Sequence, residues 1–470
     1  MADLVIVAMW ADSGFLALAR TLRRQSVNRE GSHMTTAAEN EFLTRIGPGT
    51  PMGALLRQYW VPACLSSELK TDGDPLRLML LGEKLIAFRD SAGKIGIFDH
   101  RCPHRCASLF FGRNEEGGLR CAYHGWKFDT QGNCLEMPNV PGNTDLRHHV
   151  KARSYRAAER NGLVYAYMGE RKEAPPLPAI EALLSPPEET ALFCRQRECN
   201  WLQALEGDVD TAHFTFLHVG KVEPGEVDPN HMERWQLLER AAQYEVKNAD
   251  WGTMYAAYRP ATPGNCYYRY AHMVMPFWTL FPNGPIAGNI LAQGWVPMDD
   301  THTMVFTLMW KGADGPLLTK LDGSQIPHLF RESPMQPNTT DWFGRWRTVA
   351  SAENDYLIDR EMQRTVSFSG ISGLFPQDSA MTESMDVIAD RTLEHLVPSD
   401  RMIVMTRRRL YEAAWALKEH GTVPPLVDDP EAAGNVRSGE IIAPAGRDWV
   451  ELYEEALADV RRPPLAQAAE

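Results

Sequence analysis

Two short segments carry side chains that do metal chemistry. Cys102-Pro-His104 and Cys121-Ala-Tyr-His124-Gly-Trp-Lys-Phe each offer one thiolate and one imidazole on a loop. Two thiolates on one iron and two imidazoles on the other are the ligand set of a Rieske [2Fe–2S] centre. Neutral imidazoles in place of anionic thiolates raise the reduction potential, and such a cluster passes single electrons. Cys2His2 is also a zinc ligand set, but zinc fingers group Cys with Cys and His with His. Here each loop carries one of each, as a cluster clamped between two loops requires. Of the eight cysteines, those outside this motif (Cys64, Cys106, Cys134, Cys194, Cys199 and Cys266) show no regular spacing. No disulfide framework is expected, and this usage suits a reducing cytoplasm.

A second segment, Asp210-Thr-Ala-His213-Phe-Thr-Phe-Leu-His218, sets two histidines on an apolar stretch just behind Glu206, Asp208 and Asp210. Positions five apart stand about 140° apart on an α-helix, so two such imidazoles cannot face one ion. A π-bulge or local unwinding between them brings them together, and such bulges gather at functional sites. Asp210, three residues before His213, lies beside this site without needing to ligate it. An O2-activating non-haem iron needs two His and one carboxylate on one face, with positions left open. The carboxylate must come from elsewhere in the chain.

The elements that position these groups read as two regions. Between 60 and 170, short β-type runs (LRLMLLG, KLIAFRD, KIGIFD, GLVYAYMG) alternate with turns, which predicts an all-β domain. EAPPLPAIEALLSPPEE reads as a Pro-rich linker. Beyond it, YYRYAHMVMPFWTLFP, NILAQGWVPM and TMVFTLMWKG predict strands of an antiparallel sheet. WLQALEGDVDTAHFTFLHV, SAENDYLIDREMQ, SMDVIADRTLEHL and MIVMTRRRLYEAAWALKEH predict helices. The expected division is a leader or tag-like extension over 1–41, with Gly31-Ser32-His33-Met34 resembling an expression scar. A Rieske domain over 42–172, a linker over 173–189, a catalytic domain over 190–450 and a tail over 451–470 follow. A net charge of −13 over 470 residues argues against nucleic acid as partner. No apolar run approaches the ~20 residues needed to span a bilayer, so a cytoplasmic protein without a membrane partner is expected.

Over residues 40–425 the chain resembles the oxygenase (alpha) subunit of Rieske non-haem iron ring-hydroxylating oxygenases, phthalate dioxygenase-like group. The resemblance rests on RCPHR, CAYHGWKFDTQG and NWLQALEGDVDTAHFTFLH, and on the later FPQDSAMTES. It implies an α+β chain. An N-terminal all-β Rieske domain precedes a catalytic domain whose antiparallel sheet is covered by helices, in the helix-grip (START-like) manner. It implies Cys102, His104, Cys121 and His124 as [2Fe–2S] ligands. His213, His218 and Asp378 then hold the mononuclear Fe(II), with Glu383 and Asp355 as alternatives to Asp378. Asp210 becomes the bridge for electron transfer to a neighbouring subunit in a homotrimer, or a hexamer of two stacked trimers. Glu206 stands where some dioxygenases carry Asn.

The implied reaction takes O2 and electrons from a separate NAD(P)H-dependent reductase of flavin and ferredoxin type. It hydroxylates a small organic substrate, in the manner of aromatic-hydrocarbon or xenobiotic catabolism. The chain has no G-x-G-x-x-G of its own after a strand, so the reductase is another polypeptide. An aromatic carboxylate of the phthalate type is the expected substrate, and it needs an Arg in the pocket, because Arg pairs carboxylates bidentately. By strand alternation Arg269 shares a face with Ala271, Met273 and Met275; with Trp278 these are the candidate substrate wall, a surface or structural role being the alternative for Arg269. The alternatives are monooxygenation or desaturation of a small tertiary alcohol such as tert-butyl alcohol and, in another class, a Rieske electron-transfer protein without oxygenase activity.

Overall fold

The computed structural model describes residues 35–142, 144–313, 317–458 and 460. The scar-like segment and the residues after 460 lie outside these. Antiparallel pairing joins six strands in the order Trp60–Leu65, Leu163–Tyr167, Ser154–Arg160, Ile95–Asp99, Glu83–Arg89 and Leu76–Leu80. A small four-stranded sheet (Arg113–Glu115, Gly118–Arg120, Lys127–Phe128, Cys134–Glu136) stands beside it and carries the second Cys/His loop between its two middle strands.

The second region is built on an eight-stranded antiparallel sheet. Its order is Thr190–Arg197, Thr303–Trp310, Leu291–Pro297, Trp278–Leu280, Asn265–Val274, Gly252–Pro260 and Gln243–Ala249, with Gly439–Pro444 also paired to Asn265–Val274. Three helices matter for the site: α1 (Trp201–Val209), α2 (Leu374–Glu383) and α3 (Arg401–His420). Helix α3 lies across Gly252–Pro260 and Gln243–Ala249. It ends where Gly421 takes a left-handed conformation at φ 64°, letting Gly421 and Thr422 bond back to Leu417 and Ala416. One apolar core runs through both regions, from Val61 and Tyr165 to Trp201, Trp295 and Leu410.

Several expectations need correction. Residues 35–41 are not a free leader: Ala37–Thr44 is a helix with a Thr36/Glu39 capping box, and Asn40 Nδ2 donates to the Ala389 carbonyl at 2.9 Å. The Pro-rich stretch is packed rather than loose, since Ile180 and Leu183 enter the core and Glu181 takes two 2.6 Å bonds from Arg437. The expected tail is helical over Trp449–Ala458, because Leu452 and Tyr453 have an apolar pocket beside Tyr270 and Ile286. The helix expected over 384–396 does not form. Its backbone is claimed by side chains of the Asn200–α1 segment instead: Gln203 bonds the Thr382 and Asp386 carbonyls and the Ala389 amide, each at 2.8 Å. The segment over 351–363 breaks at Asp355, Tyr356 and Leu357, all at positive φ, before a short helix Arg360–Thr365.

Glu206 faces inward on α1, away from any metal. It accepts from Arg391 Nη2 at 2.9 Å and from Arg407 Nε at 2.6 Å, all three groups being buried. Burial would raise this carboxyl, but the two guanidiniums hold it below the ordinary glutamate range. Its contribution to stability is therefore present above the unfolded-state pKa and lost as pH falls through the folded one. Glu206→Gln should cost about 3–5 kcal/mol by stranding buried cations. Chemical denaturation at neutral pH should show this loss, and the variant's stability should depend less on pH in the acid range.

Candidate metal centres

The two Cys/His loops are built alike. Cys106 N–H bonds the Cys102 carbonyl at 2.9 Å and Gly125 N–H the Cys121 carbonyl at 3.0 Å, while Cys102 and Cys121 each donate a 2.8 Å bond, to Ala107 and Trp126. Each loop closes on a left-handed residue, Cys106 at φ 59° and Gly125 at φ 76°. Cys106 thus serves a turn, and it is exposed. The loops bring His104 and His124 to a ring separation of 4.5 Å, with Trp126 stacked on His104 at 4.3 Å. Both thiols are buried and both imidazoles half-exposed. The donor set fits an iron–sulfur cluster. His124 Nδ1 is buried with no hydrogen-bond partner among the described residues. Burial, helped by the neighbouring Cys121, pushes the Cys102 thiol up to about 12, so bound cations are needed to hold this pair as thiolates.

The other site starts at α1. Asn200 caps its N-terminus through Leu202 N–H at 3.1 Å, and the helix stops at Val209. After a turn the chain forms a π-helical turn over Phe214–His218, closed by Val219 N–H on the Phe214 carbonyl at 3.0 Å. That widened turn is the local unwinding the five-residue spacing demands. It brings His213 Nε2 and His218 Nε2 to 3.1 Å. Asp378 Oδ1, from α2, stands 3.1 Å from His218 Nε2 and 3.7 Å from His213 Nε2. Two donors held ~2.1 Å from one ion at right angles lie ~3.0 Å apart, so this triad has the dimensions of a two-His-one-carboxylate face.

The outer nitrogens are tied down. His218 Nδ1–H donates to Gln377 Oε1 at 2.7 Å, and the Gln377 amide is itself fixed by donating to the Ile371 carbonyl at 2.7 Å. His213 Nδ1 faces Asp210 Oδ2 at 3.4 Å. Both imidazoles therefore present Nε2 lone pairs to one point. Burial opposes charge on His213, yet Asp210, Asp378 and Asp208 raise it to about 9. Against burial, His218 and His213 hold Asp378 down to about 2. The same negative field that favours a proton here favours a divalent cation.

The alternative carboxylates stand elsewhere: Glu383 accepts a 2.7 Å bond from Tyr356 Oη, and Asp355 sits exposed in a strained turn. The triad opens into a cavity of about 900 Å³. Arg269 reaches its wall, but its guanidinium is already spent on Glu440 at 2.7 Å and Glu233 at 3.4 Å. Met273, Met275 and Trp278 do not line this cavity. Helix α1 covers their end of the sheet and all three lie in the core, which corrects the expected substrate wall. Arg195 and Arg197 from the edge strand line it instead, with Asp208. The alternating Arg-Gln-Arg within Thr190–Arg197 is the signal that could have found the two arginines, and Gln377 is adjacent to Asp378 in the quoted motif.

Residues 59–153 match the family model described as the Rieske [2Fe-2S] domain, and residues 166–466 match the one described as LigXa C-terminal domain like. The chain is 47% identical over 436 residues to the 3-chlorobenzoate-3,4-dioxygenase oxygenase subunit of Comamonas testosteroni, covering 91% of this chain and 100% of the relative. The chain belongs to the Rieske non-haem iron ring-hydroxylating oxygenases, as an oxygenase alpha subunit. It is 34% identical over 395 residues to the phthalate 4,5-dioxygenase oxygenase subunit of Pseudomonas putida, covering 82% and 87% of the two chains. The fold matches that of dicamba monooxygenase crystallised with 3,6-dichlorosalicylic acid, at TM-score 0.54 and 18% identity, over 78% of this chain and 100% of that one. The protein is the terminal oxygenase of a multicomponent system, with a Rieske cluster, a non-haem iron and O2 as co-substrate. Members of this family work with separate reductase or ferredoxin partners and form multimers. No helix among the described residues is long and apolar enough to cross a membrane.

His218→Ala should lower iron from three to two per chain while leaving the visible cluster spectrum unchanged. Gln377→Leu leaves a buried N–H unpaired and should weaken iron binding by about 10- to 100-fold. Iron analysis after dialysis against a graded chelator measures both, and full retention of the third iron in His218→Ala would refute the assignment.

Proposed function

We propose that this chain oxygenates a small aromatic carboxylate of the benzoate or phthalate class, with electrons from a separate NAD(P)H-dependent reductase. One observation carries the reading: the His213, His218 and Asp378 donors face a roomy cavity whose wall bears the arginines Arg195 and Arg197. A neutral branched alcohol offers nothing to such a wall, whereas an acid does. The full-length likeness to a chlorobenzoate dioxygenase subunit supports the same class.

When bound, the cluster supplies single electrons and the mononuclear iron supplies open positions for O2. The chain's own residues do the rest. Asp210 and Gln377 orient the imidazoles, and the Trp295, Phe214 and Leu217 side chains make dry walls. Asp208 stands at the cavity edge: burial, with Asp378 nearby, raises it to about 6, while Thr279 Oγ1 donates to it and accepts from Trp295 Nε1 at 2.8 Å. In this reading Asp210 also bridges to a cluster histidine of a neighbouring subunit in a ring of three. The support is its side chain, a quarter exposed, with one oxygen turned to His213 and the other bonded to Ala212 N–H at 2.7 Å.

Turnover with a surrogate reductase and isotopically labelled O2 tests the substrate class. Label should enter 3-chlorobenzoate or phthalate, and oxidation of tert-butyl alcohol alone would overturn the proposal. A second measurement tests Asp210. Asp210→Asn should load both metals and accept electrons, yet its pre-reduced cluster should reoxidise at least tenfold more slowly on mixing with substrate and O2, because a carboxylate linking two imidazoles is removed. An unchanged rate in stopped-flow absorbance would remove Asp210 from the electron path.

A further inference from the structure

Five buried arginines in this fold meet carboxylates: Arg345 faces Glu68, Arg391 and Arg407 share Glu206, Arg437 is clamped on Glu181 and Arg269 meets Glu440. Arg195 departs from that pattern. Among the described residues Arg197 and Arg259 also lack a carboxylate partner, but Arg259 does not line the cavity beside the metal donors, whereas Arg195 does. It is 8% exposed, yet among the described residues no carboxylate lies within ion-pair distance of its guanidinium and no acceptor takes a hydrogen bond from it. Its one close partner is apolar: the guanidinium lies 3.1 Å from the centroid of the Phe375 ring. Stacking fixes the plane of the cation and leaves its N–H edge free, which is how a guanidinium is prepared for a bidentate anion. Burial, together with the like charge of Arg197, brings Arg195 down to about 9, as expected of a cation lacking its counter-ion.

Arg197, two residues on and on the same face of the strand, is differently placed. It donates to the Phe375 carbonyl at 3.3 Å and to Ser379 Oγ, so it braces α2 and adds positive potential. Arg269 is already neutralised by Glu440 and Glu233. Arg195 therefore differs from both in having its hydrogen-bonding edge uncommitted. Helix α2 ties it to the metal donors, because Phe375, under the guanidinium, precedes Asp378 by three residues, about 4.5 Å along the helix. That is the scale of a single aromatic ring.

Building on the proposed function, we infer that Arg195, stacked on Phe375, binds the substrate's carboxylate and holds the ring over the His213/His218/Asp378 face. A single free guanidinium recognises one carboxylate, so an aromatic monoacid is the fitting ligand. The anion completes an ion pair that the folded chain leaves half-made, and the charge-assisted pair sets the direction in which the ring enters.

Equilibrium binding to the iron-loaded protein, without turnover, tests this. The probes are 3-chlorobenzoate and its neutral isostere 3-chlorobenzamide, followed by calorimetry. Wild type should bind the acid at least tenfold more tightly than the amide. Arg195→Met should lose about 30-fold or more of its affinity for the acid and keep its affinity for the amide. Arg195→Lys, which keeps the charge but not the fork, should fall between. Equal binding of acid and amide by wild type would overturn the inference without any variant. So would undiminished acid binding by Arg195→Met with a native cluster spectrum. Aromatic-acid turnover that survives Arg195→Met with unchanged KM would sink the anchor alone. Acid binding that depends on Arg195, in a protein that oxygenates no aromatic acid, would sink the proposed function and leave the anion site standing.

Discussion

Convergence of two imidazole lone pairs on one point is the constraint around which the catalytic region is arranged. An α-helix cannot meet it with histidines five residues apart, so α1 stops at Val209 and the chain widens into the turn closed by Val219 and Phe214. Everything near that turn then has a defined duty. Asp210 and Gln377 take the outer nitrogens, α2 delivers Asp378, and α1 is anchored in the apolar core. A widened turn costs backbone regularity, and the metal donors it assembles are what that cost secures.

Charge is the second organising quantity. Each imidazole is steered by a polar side chain on its far side, and the triad carries a negative field suited to a cation. Five buried arginines elsewhere are closed by Glu68, Glu181, Glu206 and Glu440, which spend desolvation energy on fixing how strands and helices dock. Against that background an arginine stacked on Phe375 and left without an acid stands out as a place for a ligand's charge rather than the fold's own. The cluster site has a different pattern of exposure, with the thiols inside and the imidazoles half-exposed.

The twin loops show why the cluster motif was readable so early. Both are six-residue loops closed by the same pair of backbone bonds, and both need one left-handed residue. Local chain chemistry specifies such a loop almost completely, so type and spacing suffice. The strands were legible for a similar reason: Leu76–Leu80 alternates with a two-residue period, and Thr303–Trp310, buried on both faces, reads as a short unbroken apolar run. Residues 384–396 show the limit. Their pattern favours a helix, but Gln203, nearly two hundred positions earlier, satisfies the backbone groups a helix would have used.

From the sequence alone came the Cys102/His104 and Cys121/His124 cluster loops, the paired His213 and His218 with the need for unwinding between them, and the β then α+β order of the domains. Each depends on residues close together in the chain. Tertiary structure decided which carboxylate stands beside those imidazoles and which arginine is free. Asp378 reaches the site while Glu383 turns to Tyr356 only because of how α2 docks. Arg269 and Arg195 look alike as letters, but Glu440, 171 residues away, neutralises the first, while the second lies over Phe375 with no carboxylate beside it among the described residues. Charge compensation is a property of neighbours in space, and no spacing along the chain encodes it.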